Sequence, residues 1–185
     1  MQMTENESVR SDAKQNRARI LSVARKAFVE DPEASLNFIA KAAKVGAGTL
    51  YRHFPNREAL ILELYRSEIS EVATLASSLL HEYAAEEALR IWCDNLATLG
   101  KMKNGMARVL RAASSEEIDG IYGPLIEAVR KLLEACADSG IFRADIQPQD
   151  FLLLLGFLWQ IPSTDEGQAQ MARLLEVIFA GLRIK

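Results

Sequence analysis

Residues that carry covalent chemistry are scarce in this chain of 185 residues. Its two cysteines, Cys93 and Cys136, are too few and too far apart for a disulfide framework or a zinc site, and each lies in an apolar helical pattern. We therefore expect two buried free thiols. The two histidines, His53 and His81, belong to no nucleophile, metal-binding or glycine-rich phosphate motif. The sequence accordingly predicts no catalytic residue, no metal site and no cofactor.

Long apolar runs are also missing. The longest, residues 151–159, is far shorter than the ~20 residues that a membrane-spanning helix needs, so protein must cover it. Residues 1–15 are polar and charged and lack the hydrophobic region of a secretion signal. These two absences predict a cytoplasmic protein with no membrane span.

Negative charge is in small excess over the whole chain, whose net charge is −3. The charged residues are divided unevenly between the N-terminal and C-terminal parts of the chain. Residues 1–66 hold eleven Lys and Arg against eight Asp and Glu, whereas the remaining residues hold eleven against seventeen. The basic part can approach phosphate groups while the acidic part is held away from them. At this length the chain forms one domain or two small ones.

Apolar residues recur with a helical period along most of the chain, which predicts an all-α fold. The second and third predicted helices are short and joined by a tight turn, and this is the pattern of a helix-turn-helix. Ser35 is the expected N-cap of the second helix, Asn56 that of the long fourth helix, and Gly140 ends a later one. The predicted helices span about residues 16–29, 36–43, 47–54, 56–80, 85–101, 105–113, 124–139, 148–161 and 168–184.

The last two predicted helices are apolar on nearly every side, so they must be covered from two directions. One side can face the rest of the chain, but little chain remains to cover the other. We therefore expect an isologous homodimer formed through residues 148–161 and 166–184.

A longer motif surrounds the helix-turn-helix. It consists of Ile39-Ala40, the packing positions Ala43 and Val45, the run Gly48-Thr49-Leu50-Tyr51, then His53-Phe54, Arg57 and Leu60. Residues 35–60 thereby resemble the DNA-binding signature of TetR/AcrR-family transcriptional regulators. The close resemblance covers about a third of the chain, because the C-terminal half matches only the family's general helical plan.

The resemblance implies an N-terminal three-helix DNA-binding domain with the helix-turn-helix, at residues 16–60, and a helical ligand-sensing and dimerisation domain at residues 61–185. Residues 1–15 are expected to form a flexible arm. The DNA-binding domains of the two protomers, called heads below, would bind a pseudo-palindromic operator in double-stranded DNA. A small-molecule effector would release them by moving the fourth helix, which links the two domains. The expected function is that of a ligand-responsive repressor.

Small residues begin the third helix. Ala47, Gly48 and Thr49 allow such a helix to enter a major groove and bring its amides to phosphates or base edges. Arg52 is expected to make a bidentate contact to guanine and Thr49 to touch a thymine methyl group, while Asn37 adds a contact.

Other contacts come from the resemblance, which implies that Tyr51 and His53 bond backbone phosphates. It also implies that Arg57 brings positive charge and the first amides of the fourth helix to the DNA. In the alternative interpretation, Tyr51 and His53 pack against the first helix and Arg57 is a solvated charge.

Two positions depart from the family's pattern. Lys44 stands where the turn usually has glycine, and Pro32 stands where glycine commonly ends the first helix. If the turn requires a positive φ, Lys44 is strained by roughly 1 kcal/mol. Alternatively, Gly46 supplies the conformational freedom.

The resemblance also implies an apolar ligand pocket in the C-terminal domain. Methionine and aromatic side chains suit an adaptable cavity, although each is also an ordinary core residue. The candidates for the lining are Trp92, Leu96, Leu99, Met102, Met106, Leu110, Tyr122 and Phe151.

Three rival functions stay open at this point. An enzyme would need a catalytic motif, which we do not find in the sequence. A helical adaptor would carry the helix-turn-helix only as structure and would bind no DNA. A protein that coats DNA without specificity would prefer no operator over random duplex.

Overall fold

The structure of the protein is a computed structural model that describes residues 5–158, 160–162 and 164–184. Side chains are described for these residues except 5–10, 98–108, 110 and 111. Within the described residues the fold is all-α, as predicted. The helices are α1 (Glu5–Glu30), α2 (Leu36–Ala42), α3 (Ala47–His53), α4 (Arg57–Glu82), α5 (Ala85–Ala112), α6 (Ser115–Asp138), α7 (Pro148–Leu158) and α8 (Asp165–Leu182).

The chain divides into two compact units. The first contains the described residues up to Tyr65 together with Gly105–Ala112, and the second contains the rest of the described chain. The division falls inside α4 and again inside α5, so each of these helices contributes to both units. The domain limits proposed from the sequence, 16–60 and 61–185, remain a prediction.

The first helix differs from its predicted extent. It begins at Glu5 and not at about residue 16, so residues 5–15, which were expected to form a flexible arm, are helical. The apolar stripe of Ile20, Ala24, Ala27 and Phe28 is buried, as periodicity predicts. The preceding turns have no such stripe, and periodicity therefore carries no signal for them.

Short capping motifs position the helices of the first unit. The Ser35 hydroxyl accepts a hydrogen bond of 3.2 Å from the Phe38 amide at the start of α2. The Asn56 carboxamide oxygen accepts one of 2.7 Å from the Ala59 amide at the start of α4. Both predicted caps are confirmed, because a cap depends only on residues within one turn.

The turn between α2 and α3 has Lys44 in the left-handed region, with φ of 55°. The Val45 amide donates to the Ala40 carbonyl at 3.0 Å and so closes the end of α2. Gly46 has φ of −65° and is the N-cap of α3. Lys44 itself therefore adopts the positive φ, and the alternative that Gly46 provides it is wrong.

Two later helices, α5 and α6, differ from prediction. Residues 85–101 and 105–113, expected as separate helices, form the single helix α5. Helix α6 begins at Ser115 and not at Pro124, because Ser114 and Glu117 form a reciprocal capping box. The predicted starts at Gly105 and Pro124 therefore lie inside continuous helices. Gly140, with φ of 69°, follows α6 as predicted.

The core of the second unit is built from aromatic and branched side chains. Trp92 is fully buried, and its indole N–H donates to the Val72 carbonyl at 2.9 Å. Phe142 and Phe179 pack edge to face, with ring centroids 5.6 Å apart. Cys93 and Cys136 are buried and free, as predicted, and burial raises the pKa of both thiols.

A charged cluster joins α5 to α8. Arg90 forms ion pairs with Glu86 and Glu176, and its guanidinium lies 4.2 Å from the centre of the Phe179 ring. Arg183 reaches Glu86 at 2.6 Å. The hydrogen bond from Arg90 lowers the pKa of the Glu176 carboxyl. Among the described residues, no helix is long and apolar enough to cross a membrane.

Candidate nucleic-acid interface

Helix α3 presents an open N-terminal end. Gly46 caps it without a side-chain hydrogen bond, and Ala47 and Gly48 are both exposed. A Cβ atom added to Gly48 would meet nothing within 4 Å, so the backbone is accessible there. Leu50 on the opposite side is completely buried and anchors the helix. The first amides of α3 can therefore approach another molecule closely.

The polar side chains of α3 continue this exposed face. Tyr51 is 46% exposed, which argues against the alternative that it packs on α1. Arg52 is exposed, and its Nε–H donates to the Gly48 carbonyl at 3.2 Å, so the side chain lies back along the helix toward its small residues. Thr49 is half-buried. Guanidinium and phenol groups here have the donors that phosphates and guanine accept from.

The other residues predicted to contact DNA, Asn37 and His53, differ in exposure. Asn37 is exposed on α2. His53 is half-buried, with its ring centroid 6.2 Å from that of Phe54. Its neighbour Phe54 is buried, and the Arg17 guanidinium lies 5.6 Å from the centre of the Phe54 ring. The packing interpretation therefore fits His53 better than it fits Tyr51.

Arg57 contacts the end of α1 and the segment that follows it. Its side chain is 20% exposed and donates to the Pro32 carbonyl. The guanidinium lies 5.2 Å from the centre of the Phe28 ring and 3.9 Å from the Glu33 carboxylate. Its Nε atom is buried without a hydrogen-bond partner. Arg57 is thus not the solvated charge that one interpretation predicted, and its guanidinium is engaged within its own unit.

Three exposed residues of α2 and the turn were not predicted as contacts. Lys41 and Lys44 are exposed and add positive charge beside α3 in the sequence. Phe38 is 56% exposed although it is aromatic. The lysines follow the usual signal of clustered basic residues, whereas an exposed phenylalanine cannot be recognised from periodicity.

The predicted ligand pocket is only partly described. Trp92, Leu96 and Phe151 are buried, and Tyr122 is half-buried. The side chains of Leu99, Met102, Met106 and Leu110 lie outside the described ones. A small cavity of about 20 Å³ in the second unit has a different lining, formed by Cys93, Asp94, Ala97, Leu155, Leu158, Met171 and Leu175. This volume is sufficient for about one water molecule.

Apolar side chains are exposed on α7 and α8. Leu153 is 63% exposed and Phe157 is 59% exposed on α7, while Val177 is 68% exposed on α8. These helices are the ones that the sequence indicated as needing a second cover. Large exposed apolar surfaces of this kind mark interaction sites.

Comparisons with known proteins agree with this geometry. The model for bacterial regulatory proteins of the tetR family matches residues 20–64, which include α2 and α3. The model for the C-terminal domain of SbtR-like transcriptional regulators matches residues 84–184. Both parts of the chain therefore resemble transcriptional regulators.

Individual relatives extend the likeness over most of the chain. The crystal structure of a TetR transcriptional regulator from Streptomyces coelicolor has 36% sequence identity and a TM-score of 0.74, covering 90% of this chain and 98% of that one. An HTH-type transcriptional regulator of Staphylococcus aureus strain USA300 is 29% identical over 133 residues, 65% of this chain and 72% of that protein.

A more distant structure shares the fold alone. The TetR-family transcriptional repressor FadR of Thermus thermophilus, solved in complex with lauroyl-CoA, is 19% identical and has a TM-score of 0.62. The similarity covers 91% of this chain and 96% of FadR.

Proposed function

Because the chain belongs to the TetR family of bacterial transcriptional regulators, we propose that it is a sequence-specific repressor that a small-molecule effector releases from its operator. The family is one of DNA-binding regulators and not of enzymes. The observation that carries the proposal is the exposed face of α3, where Tyr51 and Arg52 follow the open turn of Ala47 and Gly48. The protein would act in the cytoplasm, where it meets DNA.

The roles of these side chains follow from their chemistry. Tyr51 would donate its hydroxyl hydrogen to a backbone phosphate and so position the head without reading sequence. Arg52 would form a bidentate contact to guanine, and Thr49 would place its methyl group against thymine. Lys41 and Lys44 would add electrostatic attraction that is independent of sequence.

A homodimer would present two such heads. The exposed apolar residues of α7 and α8, among them Leu153, Phe157 and Val177, support an isologous interface between two copies. The heads would then bind half-sites about 34 Å apart in a pseudo-palindromic operator. Val177→Glu should convert the dimer into monomers in sedimentation velocity, whereas Leu75→Glu on α4 should leave the dimer intact. A wild-type monomer would contradict this part of the proposal.

The effector would act by favouring a conformation in which the two heads no longer match successive grooves. FadR shows that this fold can hold an acyl-CoA ligand, so lauroyl-CoA is a suitable first probe, followed by an extract of cell metabolites. The probe is added to the protein bound to its operator. If a ligand saturates the protein and operator affinity stays unchanged, that ligand is not the effector.

DNA binding itself is tested by a mobility-shift titration with the DNA upstream of the protein's own gene and with random duplex of equal length. We expect preference for one upstream fragment. Tyr51→Phe should weaken binding to all DNA similarly, whereas Arg52→Ala should lose roughly 1–3 kcal/mol of discrimination at particular base pairs. Lys131→Ala, which removes an exposed positive charge of α6, is the matched control and should change neither.

The same titration separates the rival functions. Equal affinity for the upstream fragment and random duplex would indicate non-specific coating, and no binding at low salt would indicate an adaptor. Uniform loss from Tyr51→Phe and Arg52→Ala would contradict the reading role of Arg52.

A further inference from the structure

The contacts of Arg57 point to a role other than binding DNA. We propose that Arg57 is a positioning residue, which holds the α1–α2 connection against the start of α4 and thereby sets the orientation of α2 and α3 on DNA. This inference rests on the proposed function, because it concerns how the same head recognises an operator. In this role the guanidinium of Arg57 contacts residues of its own DNA-binding domain and does not contact a DNA phosphate.

Arg57 joins three segments that are separate in the sequence. It is the first residue of α4, its guanidinium lies over the Phe28 ring near the end of α1, and it donates to the Pro32 carbonyl in the connection. A planar guanidinium can lie over an aromatic ring while its terminal nitrogens donate hydrogen bonds in fixed directions, whereas the ammonium group of lysine is a compact point charge on a flexible stem. Lysine therefore does not reproduce this set of contacts.

Apart from the bond to Arg57, the hydrogen bonds of the α1–α2 connection in the described part of the chain are local, and Ala34 adds a buried apolar contact. The Ala34 amide donates to the Asp31 carbonyl at 3.0 Å, and the Glu33 amide donates to the Asp31 carboxylate at 2.9 Å. Ser35, the N-cap of α2, follows directly. Because the connection leads into α2, and α2 and α3 pack together, a fixed connection fixes the direction of both helices. Arg57 holds this connection from the residue at which α4 begins, just after α3.

A phosphate contact would require the side chain to give up these partners. The Arg57 side chain is only 20% exposed, and its Nε atom is already buried without a partner. Turning the guanidinium outward would leave the Pro32 carbonyl without its donor and the Phe28 ring uncovered. Arg52 and Tyr51, in contrast, are exposed with no such rearrangement.

Salt dependence of operator binding separates the two roles. Each phosphate contact contributes about 0.9 to the slope of log affinity against log salt concentration, whereas a positioning residue contributes nothing to that slope. The experiment measures operator and random-duplex affinities between 50 and 200 mM salt, by fluorescence anisotropy, for wild type, Arg57→Ala, Arg57→Lys and Arg52→Ala. Circular dichroism establishes that each variant is folded at the assay temperature.

For Arg57→Ala we expect operator affinity about tenfold weaker, the effect of one lost charge-assisted hydrogen bond, with an unchanged salt slope and a reduced preference over random duplex. Arg57→Lys should behave like Arg57→Ala, because it keeps the charge and loses the stacked geometry. Phe28→Leu, which alters no charge, should likewise weaken operator affinity and reduce the preference over random duplex without changing the salt slope. It replaces Arg57→Ala in the experiment if Arg57→Ala does not fold.

Two outcomes would contradict the role proposed for Arg57 and leave the proposed function intact. If the salt slope of Arg57→Ala were smaller by about one per DNA-binding domain, and the affinity and slope of Arg57→Lys were near those of wild type, Arg57 would contact a phosphate. Unchanged operator affinity in folded Arg57→Ala, with only a lower melting temperature, would identify a purely structural contact. If wild type itself showed no operator preference, the proposed function would fail and this inference with it, and the wild-type titration identifies that case by itself.

Discussion

Lys44 provides the most direct test of the turn between α2 and α3. Its φ of 55° places a side chain with a Cβ atom in the left-handed region, which costs roughly 1–2 kcal/mol relative to glycine. Glycine has greater freedom in the unfolded chain, which offsets roughly 0.5–1 kcal/mol of this gain. We therefore expect Lys44→Gly to raise the free energy of unfolding by about 0.5–1 kcal/mol.

Lys41→Gly is the matched control. Lys41 is three residues earlier and lies within α2, where glycine lowers stability by roughly 0.8–1 kcal/mol. Both variants lose one exposed lysine from the same unit, so their change in net charge is identical. The same substitution should thus stabilise the protein at one position and destabilise it at the other, with a difference of about 1.5 kcal/mol.

The assay is urea unfolding followed by far-ultraviolet circular dichroism, with the free energy of unfolding extrapolated to water. Mobility shift on random duplex should weaken equally for the two variants, because both lose one positive charge. If Lys44→Gly were no more stable than Lys41→Gly, the strain attributed to the turn would be refuted.

Two further predictions concern the second unit. Trp92→Phe removes the hydrogen bond to the Val72 carbonyl and replaces a fully buried ring with a smaller one, so urea unfolding should show a loss of about 2 kcal/mol, and an unchanged stability would contradict it. Glu176→Gln should flatten the acid dependence of stability. The hydrogen bond from Arg90 lowers the pKa of Glu176 below its ordinary value near 4.5, so this contribution is present above pH 4.5 and disappears as the pH falls through the folded-state pKa.

The control for the pH measurement is Glu134→Gln, an exposed carboxylate of α6. Unfolding by urea is compared between about pH 3 and pH 6 for both variants and wild type. The variant of Glu176 should approach wild type in stability as the pH falls below the transition. If the difference between Glu176→Gln and wild type did not shrink on acidification, the ion pair with Arg90 would not be the cause.

Local signals in the sequence predicted much of the first unit. The caps at Ser35 and Asn56, the stripe beginning at Ile20 and the departure at Lys44 each depend on residues within a few positions of one another. Such features can be predicted from sequence because capping and helical periodicity depend on residues within one or two helical turns. The exposed face of α3 follows from the same pattern, since Leu50 is its buried anchor.

Some helix boundaries were predicted less well. Pro124 was assigned to a helix start, but the capping box of Ser114 and Glu117 begins α6 earlier and the helix continues through the proline. The polar turns of α1 before residue 16 gave no periodic signal at all. A helix boundary is the sum of several local preferences, and a competing cap can outweigh one unfavourable residue.

The all-α class, the helix-turn-helix and the family can be predicted from the amino-acid sequence, because they depend on local periodicity and on a contiguous motif. Which side chains of that motif are exposed and able to contact DNA depends on how the helices pack. Arg57 reaches Pro32, 25 positions away, and Trp92 reaches Val72, 20 positions away. Contacts between residues so far apart depend on how the helices pack, and side-chain direction at these positions follows from packing rather than from the residues' own preferences.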